Sequence, residues 1–240
     1  MPGVAYEQLK AREKKTVDKL VRHFDENREF FSTLLRQLVE ALRAQSELRG
    51  LVHSFRSRVK ESDHLREKLA RKTIAARSSD APLDITTDNL FTKITDLAGC
   101  RILHLYTKQF GDINRCLQSV FEEEKYEKLE GPSARTWDDE TREYFESIKV
   151  DTVKSKSLYT SVHYVIAPNK RTPCTCEVQV RTLAEEIWGE VNHAINYPHL
   201  ADSVACREQI AVLARVTSSC SRLVDAIFTS HNHNRTADKQ

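Results

Sequence analysis

The stretch CTCEVQVR, Cys174 to Arg181, alternates polar and apolar residues with the period of a β-strand. Glu177, Gln179 and Arg181 then point to one face while Val178 and Val180 point to the other. A carboxylate, a carboxamide and a guanidinium in one row need either water or a polar ligand beside them. Three other stretches raise the same choice. In RSRVKESDHLREKLARK, Arg58 and Lys60 share a strand face and Lys68, Arg71 and Lys72 follow at helical spacing, so several cations can converge on phosphates. In ITDLAGCRIL, Asp96 stands at the mouth of an apolar strand, a place suited to a Mg²⁺ ligand and equally to a turn aspartate. In KSKSLYTSVHYVI, Tyr159, Ser161 and His163 alternate, and a tyrosine at a strand entrance can stack on a base or fill a half-buried sheet position. Spacing alone leaves each of the four open between a ligand site and an ordinary solvated or capped position.

The elements that must hold these residues follow from periodicity. Strands are expected at residues 51–60, 99–106, 124–131, 160–167 and 174–181, and helices at 63–77, 108–122, 139–147 and 182–197. On the last helix Leu183, Ile187, Val191 and Ile195 form the expected core stripe, with Glu186, Glu190, His193 and Tyr197 on another face. Apolar residues from Val17 to Leu42 recur at helical spacing with no proline, which predicts one long amphipathic helix. Ile210, Leu213, Val216, Cys220, Leu223 and Ile227 repeat at three and four, a second long helix with a narrow apolar seam. The expected class is α+β: a mixed β-sheet flanked by helices, with long N- and C-terminal helices. The expected division is a helical segment over residues 1–46, a catalytic-type domain over 47–200, and a C-terminal helix with a polar tail over 201–240.

Composition narrows the function classes. Charged residues make up 30% of the 240 and hydrophobic ones 40%, as in globular proteins. No apolar run approaches bilayer length and the first fifty residues are too charged for a signal peptide, so a cytoplasmic protein without a membrane partner is expected. The six cysteines are read as buried thiols; the C-x-C of Cys174 and Cys176 and the H-x-H of His231 and His233 are not read as metal sites. Net charge is only +2, yet between Ser54 and Arg77 eight Lys or Arg residues face three acids. Such a local patch suits a triphosphate, not a long duplex, so nucleic acid is not an expected partner.

Taken in order, R-x-K with a following Lys (Arg58, Lys60, Lys68), D-L-A-G-x-R (Asp96 to Arg101), Y-x-S-x-H (Tyr159 to His163), E-V-Q-x-R-T (Glu177 to Thr182) and W-x-E-x-x-H-x-x-x-Y (Trp188 to Tyr197) are specific together. The chain resembles the synthetase domain of the RelA/SpoT family, the alarmone synthetases, over roughly Val52 to Tyr197. The resemblance implies a nucleotidyltransferase-like sheet, Mg²⁺ as cofactor, and transfer of the β,γ-pyrophosphate of ATP to the 3′-hydroxyl of GDP or GTP. It implies that Arg58, Lys60 and Lys68, with Arg71 and Lys72, hold the ATP, and that Asp96 binds Mg²⁺. Glu177 would share the metal or draw the proton from the attacking hydroxyl. Tyr159 would stack on the acceptor base, and Lys156, Ser161, His163, Gln179 and Arg181 would shape the acceptor pocket.

Two positions depart from the family pattern: Leu158 stands where a Gly usually precedes the stacking Tyr, and His64 where a Ser often sits. Leu158 bears on the acceptor loop's shape, since Gly lets the backbone come close. In length the chain resembles the small stand-alone members. Rival readings are a toxic relative acting on adenosine nucleotides or a tRNA 3′ end, the one nucleic-acid exception, and a catalytically silent nucleotide-binding module whose terminal helices bind a partner. The seam from Ile210 to Ile227 also suits a homo-oligomer built through the terminal helices.

Overall fold

Asn27 breaks the helix expected over Val17 to Leu42. In the computed structural model, which describes residues 4–155, 157–169, 174–196 and 203–237 (the last four of these by backbone alone), a single turn α1 (Val4–Glu7) precedes α2 (Ala11–Glu26), and α3 (Arg28–Ala44) starts anew after Asn27. Asn27 has φ −108° and ψ 9°, and its Nδ2 donates to the His23 carbonyl at 2.8 Å. An asparagine that satisfies a terminal carbonyl competes with helix continuation, a local bond that apolar periodicity does not register.

The expected strands form as β1 (Ser54–Val59), β2 (Ala98–His104), β3 (Glu127–Thr136), β5 (Ser161–Ala167) and β6 (Cys176–Thr182). A short sixth, β4 (Asp151–Lys154), was not foreseen, because four residues carry too little periodicity. The sheet order is β1-β2-β6-β5-β3-β4. Pairs β2/β6 and β3/β4 are parallel and the others antiparallel, so the sheet is mixed as expected. β3 runs further than expected and shifts register around Gly131, which has φ +91°. A Cβ there would lie 2.2 Å from the His163 carbonyl oxygen, so only glycine fits. α4 (Ser46–Leu51) leads into β1; between the strands lie α5 (Ser62–Ser78), α6 (Leu90–Lys93), α7 (Phe110–Glu123) and α8 (Asp139–Ser147); α9 (Leu183–Asn196) and α10 (Val204–Ala237) follow β6.

Strand alternation divides the sheet into two unlike faces. Cys100, Ile102, Val162, Tyr164, Val178 and Val180 are buried in one core with Phe31, Leu34 and Leu38 of α3 and Ile113, Leu117 and Phe121 of α7. Residues before and after position 46 share that core, which also takes in Val17 and Phe24 of α2. The other face carries Arg56, Arg101, Glu177 and Gln179. Cys100, Cys116, Cys174 and Cys176 are buried as expected, whereas Cys206 is half-buried and Cys220 exposed, on α10.

The two C-terminal helices reverse the expected amphipathic sense. On α9 Ile187 is 57% and Ile195 40% exposed, while Glu185, Glu186 and Trp188 are buried. The sheet face beneath α9 carries arginines, and a helix that covers arginines must present carboxylates. On α10 the buried side is Ile210, Ala214, Thr217, Ser218, Ser221 and Asp225, and Val216, Leu223 and Ile227 point outward. Side-chain bonds dock it: Asp138 Oδ2 accepts from Ser218 Oγ and from Arg222 Nη1, each at 2.6 Å. Among the described residues no helix is long and apolar enough to cross a membrane.

Because Leu38 is fully buried where α3 meets the sheet, Leu38→Ala is expected to cost about 2–5 kcal/mol of unfolding free energy. Denaturant melts followed by far-UV and near-UV circular dichroism should show one shared transition at a lower midpoint. Two separated transitions would mean that the N-terminal helices fold apart from the sheet.

Candidate active site

Residues far apart in sequence meet on the polar sheet face because β2 and β6 are neighbours. In their parallel register Gly99 faces Glu177 and Arg101 faces Gln179, and across β1 Arg56 faces Arg101. A cavity of about 420 Å³ opens over these strands, lined by Arg56, Arg58, Asp96, Gly99, Arg101, Glu177, Gln179 and Glu190 among others. Its volume suits a ligand of nucleotide size.

At one end Asp96 Oδ2 accepts from Lys60 Nζ and Oδ1 from Lys68 Nζ, each at 2.8 Å. Burial pushes the Asp96 carboxyl upward, but the two ammonium groups outweigh it and hold it below the ordinary 3.8. Glu177 is held from behind. His163 Nδ1 lies 2.9 Å from Oε1, and Gln179 Nε2 donates to Oε2 at 2.8 Å. Burial again acts upward and these contacts more than offset it, so Glu177 sits below its usual range although the charge of Asp96 opposes this. The two carboxylates line one cavity and supply hard oxygen donors, which fits Mg²⁺ bound by one or two carboxylates together with substrate phosphates. Among the described residues no group of three or more His, Cys, Asp or Glu side chains could hold a metal by itself.

The other end of the cavity joins Arg101 and the Glu186 and Glu190 face of α9 to Arg56, which strand spacing did not single out. Arg56 and Arg101 are like charges directly opposite each other, a pairing that destabilises a sheet unless neutralised. Glu186 and Glu190, one turn apart on α9, supply the neutralisation. Arg101 Nη1 donates to Glu186 Oε1 at 3.2 Å and to Glu190 Oε1 at 2.6 Å, and Arg56 Nη1 reaches the same Glu186 oxygen at 3.4 Å. Glu186 also pairs with the buried Arg181 at 2.5 Å. The signal that could have found Arg56 is that it continues the alternating row of Arg58 and Lys60.

The remaining expected site residues lie behind or beside the cavity. Tyr159 is half-buried, and its hydroxyl donates to Gln179 Oε1 at 3.3 Å and lies 3.2 Å from His163 Nε2. Its ring lies 5.8 Å from the Arg181 guanidinium and 6.2 Å from the Trp188 ring. Leu158 packs into the same small cluster, formed by Trp188, Ile210 and Ala214, so the residue that departs from the family pattern has become a packing anchor. Ser161 is fully buried and its hydroxyl donates to the Val180 carbonyl at 3.3 Å, which turns it away from the cavity. Arg71 and Lys72 are exposed on α5 and do not line the cavity; the charge of Lys72 is felt at Asp84 instead. His64 lies 6.2 Å from His193, ring to ring, between α5 and α9. Lys156 and Tyr197 fall outside the described residues.

A sequence profile described as "Region found in RelA / SpoT proteins" matches residues 57–202, well over half the chain. No curated protein matches. Among solved structures, a GTP pyrophosphokinase family protein from Streptococcus pneumoniae is similar with TM-score 0.62 and 19% identity, over 88% of this chain and 93% of that one. Small alarmone synthetase 1 from Bacillus subtilis is similar with TM-score 0.56 and 20% identity, over 91% and 99%. The same Bacillus subtilis protein bound to its product pppGpp gives TM-score 0.55 at 20% identity, over 89% and 97%. At such identities these structures bear on the fold, which this chain shares.

Glu185, on α9 behind the cavity, is 5% exposed, and burial pushes its carboxyl up to about 8. The folded state therefore holds the proton to higher pH than the unfolded chain, whose carboxyl has the ordinary value of 4.5. Stability must fall as pH rises between those two values. Glu185→Gln should remove that slope and raise the melting temperature at pH 8 relative to the parent. Thermal melts from pH 5 to 9 check it; an unchanged slope would place the titration elsewhere.

Proposed function

The chain belongs to the RelA/SpoT family, and on that footing we propose that it transfers the β,γ-pyrophosphate of ATP to the 3′-hydroxyl of GDP or GTP in the cytoplasm. The observation that carries this reading is one cavity lined by Asp96 and Glu177, with Lys60 and Lys68 at the Asp96 carboxylate. Carboxylates placed among cations are what phosphoryl transfer asks of a protein: neutralise a crowded anion and align a weak nucleophile beside a base. The relative solved with pppGpp, and its counterpart solved with AMPCPP, support substrates of these two kinds.

Arg58, Lys60 and Lys68 take the donor phosphates, and Arg71 and Lys72 add a more distant positive field. Asp96, alone or sharing the ion with Glu177, would hold Mg²⁺, which when bound would supply positive charge against the phosphate oxygens. Glu177 Oε1 or Oε2 accepts the proton of the acceptor 3′-hydroxyl as its oxygen bonds to the β-phosphorus. The bond from that phosphorus to the oxygen bridging to the α-phosphorus breaks, and AMP leaves with the electron pair. His163 and Gln179 orient Glu177 through their bonds to its two oxygens. Tyr159 offers its ring to the acceptor base. Arg181 and Lys156 belong to the acceptor side, Arg181 through its contact with the Tyr159 ring, while Ser161 acts only behind it through its bond to the Val180 carbonyl.

A different acceptor, such as an adenosine nucleotide or a tRNA 3′ end, is the second reading, and Leu158 in its packed cluster is the observation that favours it. The outward apolar residues of α10, Val216, Leu223 and Ile227, support self-association through the C-terminal helix.

Incubating the purified chain with γ-labelled ATP and each acceptor in turn separates the readings. Label on GDP or GTP is expected, and none on tRNA, because the dense cations are already matched to the donor. Label on tRNA alone, falling steeply with salt, would move the assignment to the second reading. Glu177→Gln should abolish transfer with ATP affinity changed no more than a few-fold; wild-type turnover would remove Glu177 from the chemistry. Tyr159→Ala should raise the acceptor KM by the equivalent of about 1–3 kcal/mol, and Tyr159→Phe, which keeps the ring, by much less. Equal losses in the two variants would assign the effect to the hydroxyl.

A further inference from the structure

All four carboxylate oxygens of the pair assigned to Mg²⁺ are engaged by the protein itself. Lys60 and Lys68 each hold one oxygen of Asp96 at 2.8 Å, while His163 and Gln179 hold those of Glu177 at 2.9 and 2.8 Å. The Lys60 side chain is only 10% exposed, so its charge is poorly screened by solvent. A divalent cation that approaches Asp96 in this state meets two ammonium groups first. Removing those groups from a carboxylate in a partly desolvated site requires another anion to receive them, since an unpaired buried charge is costly. Of the reactants, the donor nucleotide brings the densest anion to that spot.

We propose that Asp96 is a latch closed by Lys60 and Lys68, opened when the triphosphate of the donor takes over both ammonium groups, so that the divalent cation site forms only with the donor in place. The proposal rests on the reading of this cavity as a donor-triphosphate site. Asp96 then has two successive partners. Without donor it neutralises two lysines that would otherwise repel each other, and with donor its oxygens turn to the cation. Triphosphate and cation binding are thereby coupled favourably, and each raises the affinity of the other by the same factor. Glu177 differs from Asp96 in this respect. Its holders are an imidazole and a carboxamide in place of two ammonium groups.

The test uses the full chain and Mn²⁺ alone, read by electron paramagnetic resonance, with no nucleotide present. Wild-type protein is expected to leave Mn²⁺ free, whereas Lys68→Met and the double variant Lys60→Met/Lys68→Met should bind it at least about tenfold more tightly. Adding Asp96→Asn to the double variant should erase the gain. Lys68 is the more exposed lysine, 29% against 10%, so its single substitution remains informative should the double variant unfold. Wild-type Mn²⁺ affinity equal to that of Lys68→Met would overturn the latch, as would a lysine variant with no gain. Since no turnover is read, this outcome stands apart from the labelled-ATP result. A chain that transfers pyrophosphate yet binds free Mn²⁺ loses the latch and keeps the proposed function, and a chain that binds free Mn²⁺ and transfers nothing loses both.

Discussion

The parallel pairing of β2 with β6 is the constraint on which the site depends. It sets Gly99 against Glu177 and Arg101 against Gln179, and it brings the segment carrying Asp96 to the same end of the sheet. A slip of one residue would turn Glu177, Gln179 and Arg181 into the core and Val178 and Val180 into the cavity, because side chains alternate with a period of two. The buried valines on one face therefore hold the polar row in place on the other. Packing energy on the apolar side is what keeps the carboxylate pointed at the cavity.

The polar face then has to solve an electrostatic problem without substrate. Arg56, Arg101 and Arg181 are close enough to share Glu186, and Lys60 and Lys68 share Asp96. Each carboxylate serves several cations, and the acids of α9 lie on the side of that helix facing the sheet. Isolated surface ion pairs contribute little, but loss of one partner of the buried Arg181–Glu186 pair leaves a charge unpaired at a cost of several kcal/mol, roughly 3–5. The cavity lining carries three arginines against three carboxylates, so an arriving polyanion exchanges partners instead of filling a bare positive hole.

That same requirement explains the reversed helices. Once α9 turns Glu185 and Glu186 inward, Ile187 and Ile195 are left at the surface. α10 docks on α8, α9 and the β2–α7 connection through Ser218, Arg222 and Asp225 and through the bond from Trp188 Nε1 to the Ile210 carbonyl. Its apolar residues are consequently displaced to the outer side. The periodicity of Ile210 to Ile227 is real, but it marks a surface more than a core.

Local pattern in the sequence was enough for the α+β class, five of the six strands and the apolar side of the sheet, which follow from periods of two and 3.6 that neighbouring residues carry by themselves. The gathering of Asp96, Glu177, Gln179 and Arg58 around one cavity was expected only from the order of the motifs and the family resemblance it carries. The break at Asn27 and the strand β4 are local features that periodicity does not register, whereas tertiary structure alone decided the inward carboxylates of α9, the turning of Ser161 to a carbonyl, and the distance of Arg71 and Lys72 from the cavity. The reason is that a side chain's partner is chosen across the sheet. Arg56 meets Glu186 from 130 positions away, and nothing in the pattern around either residue records that meeting.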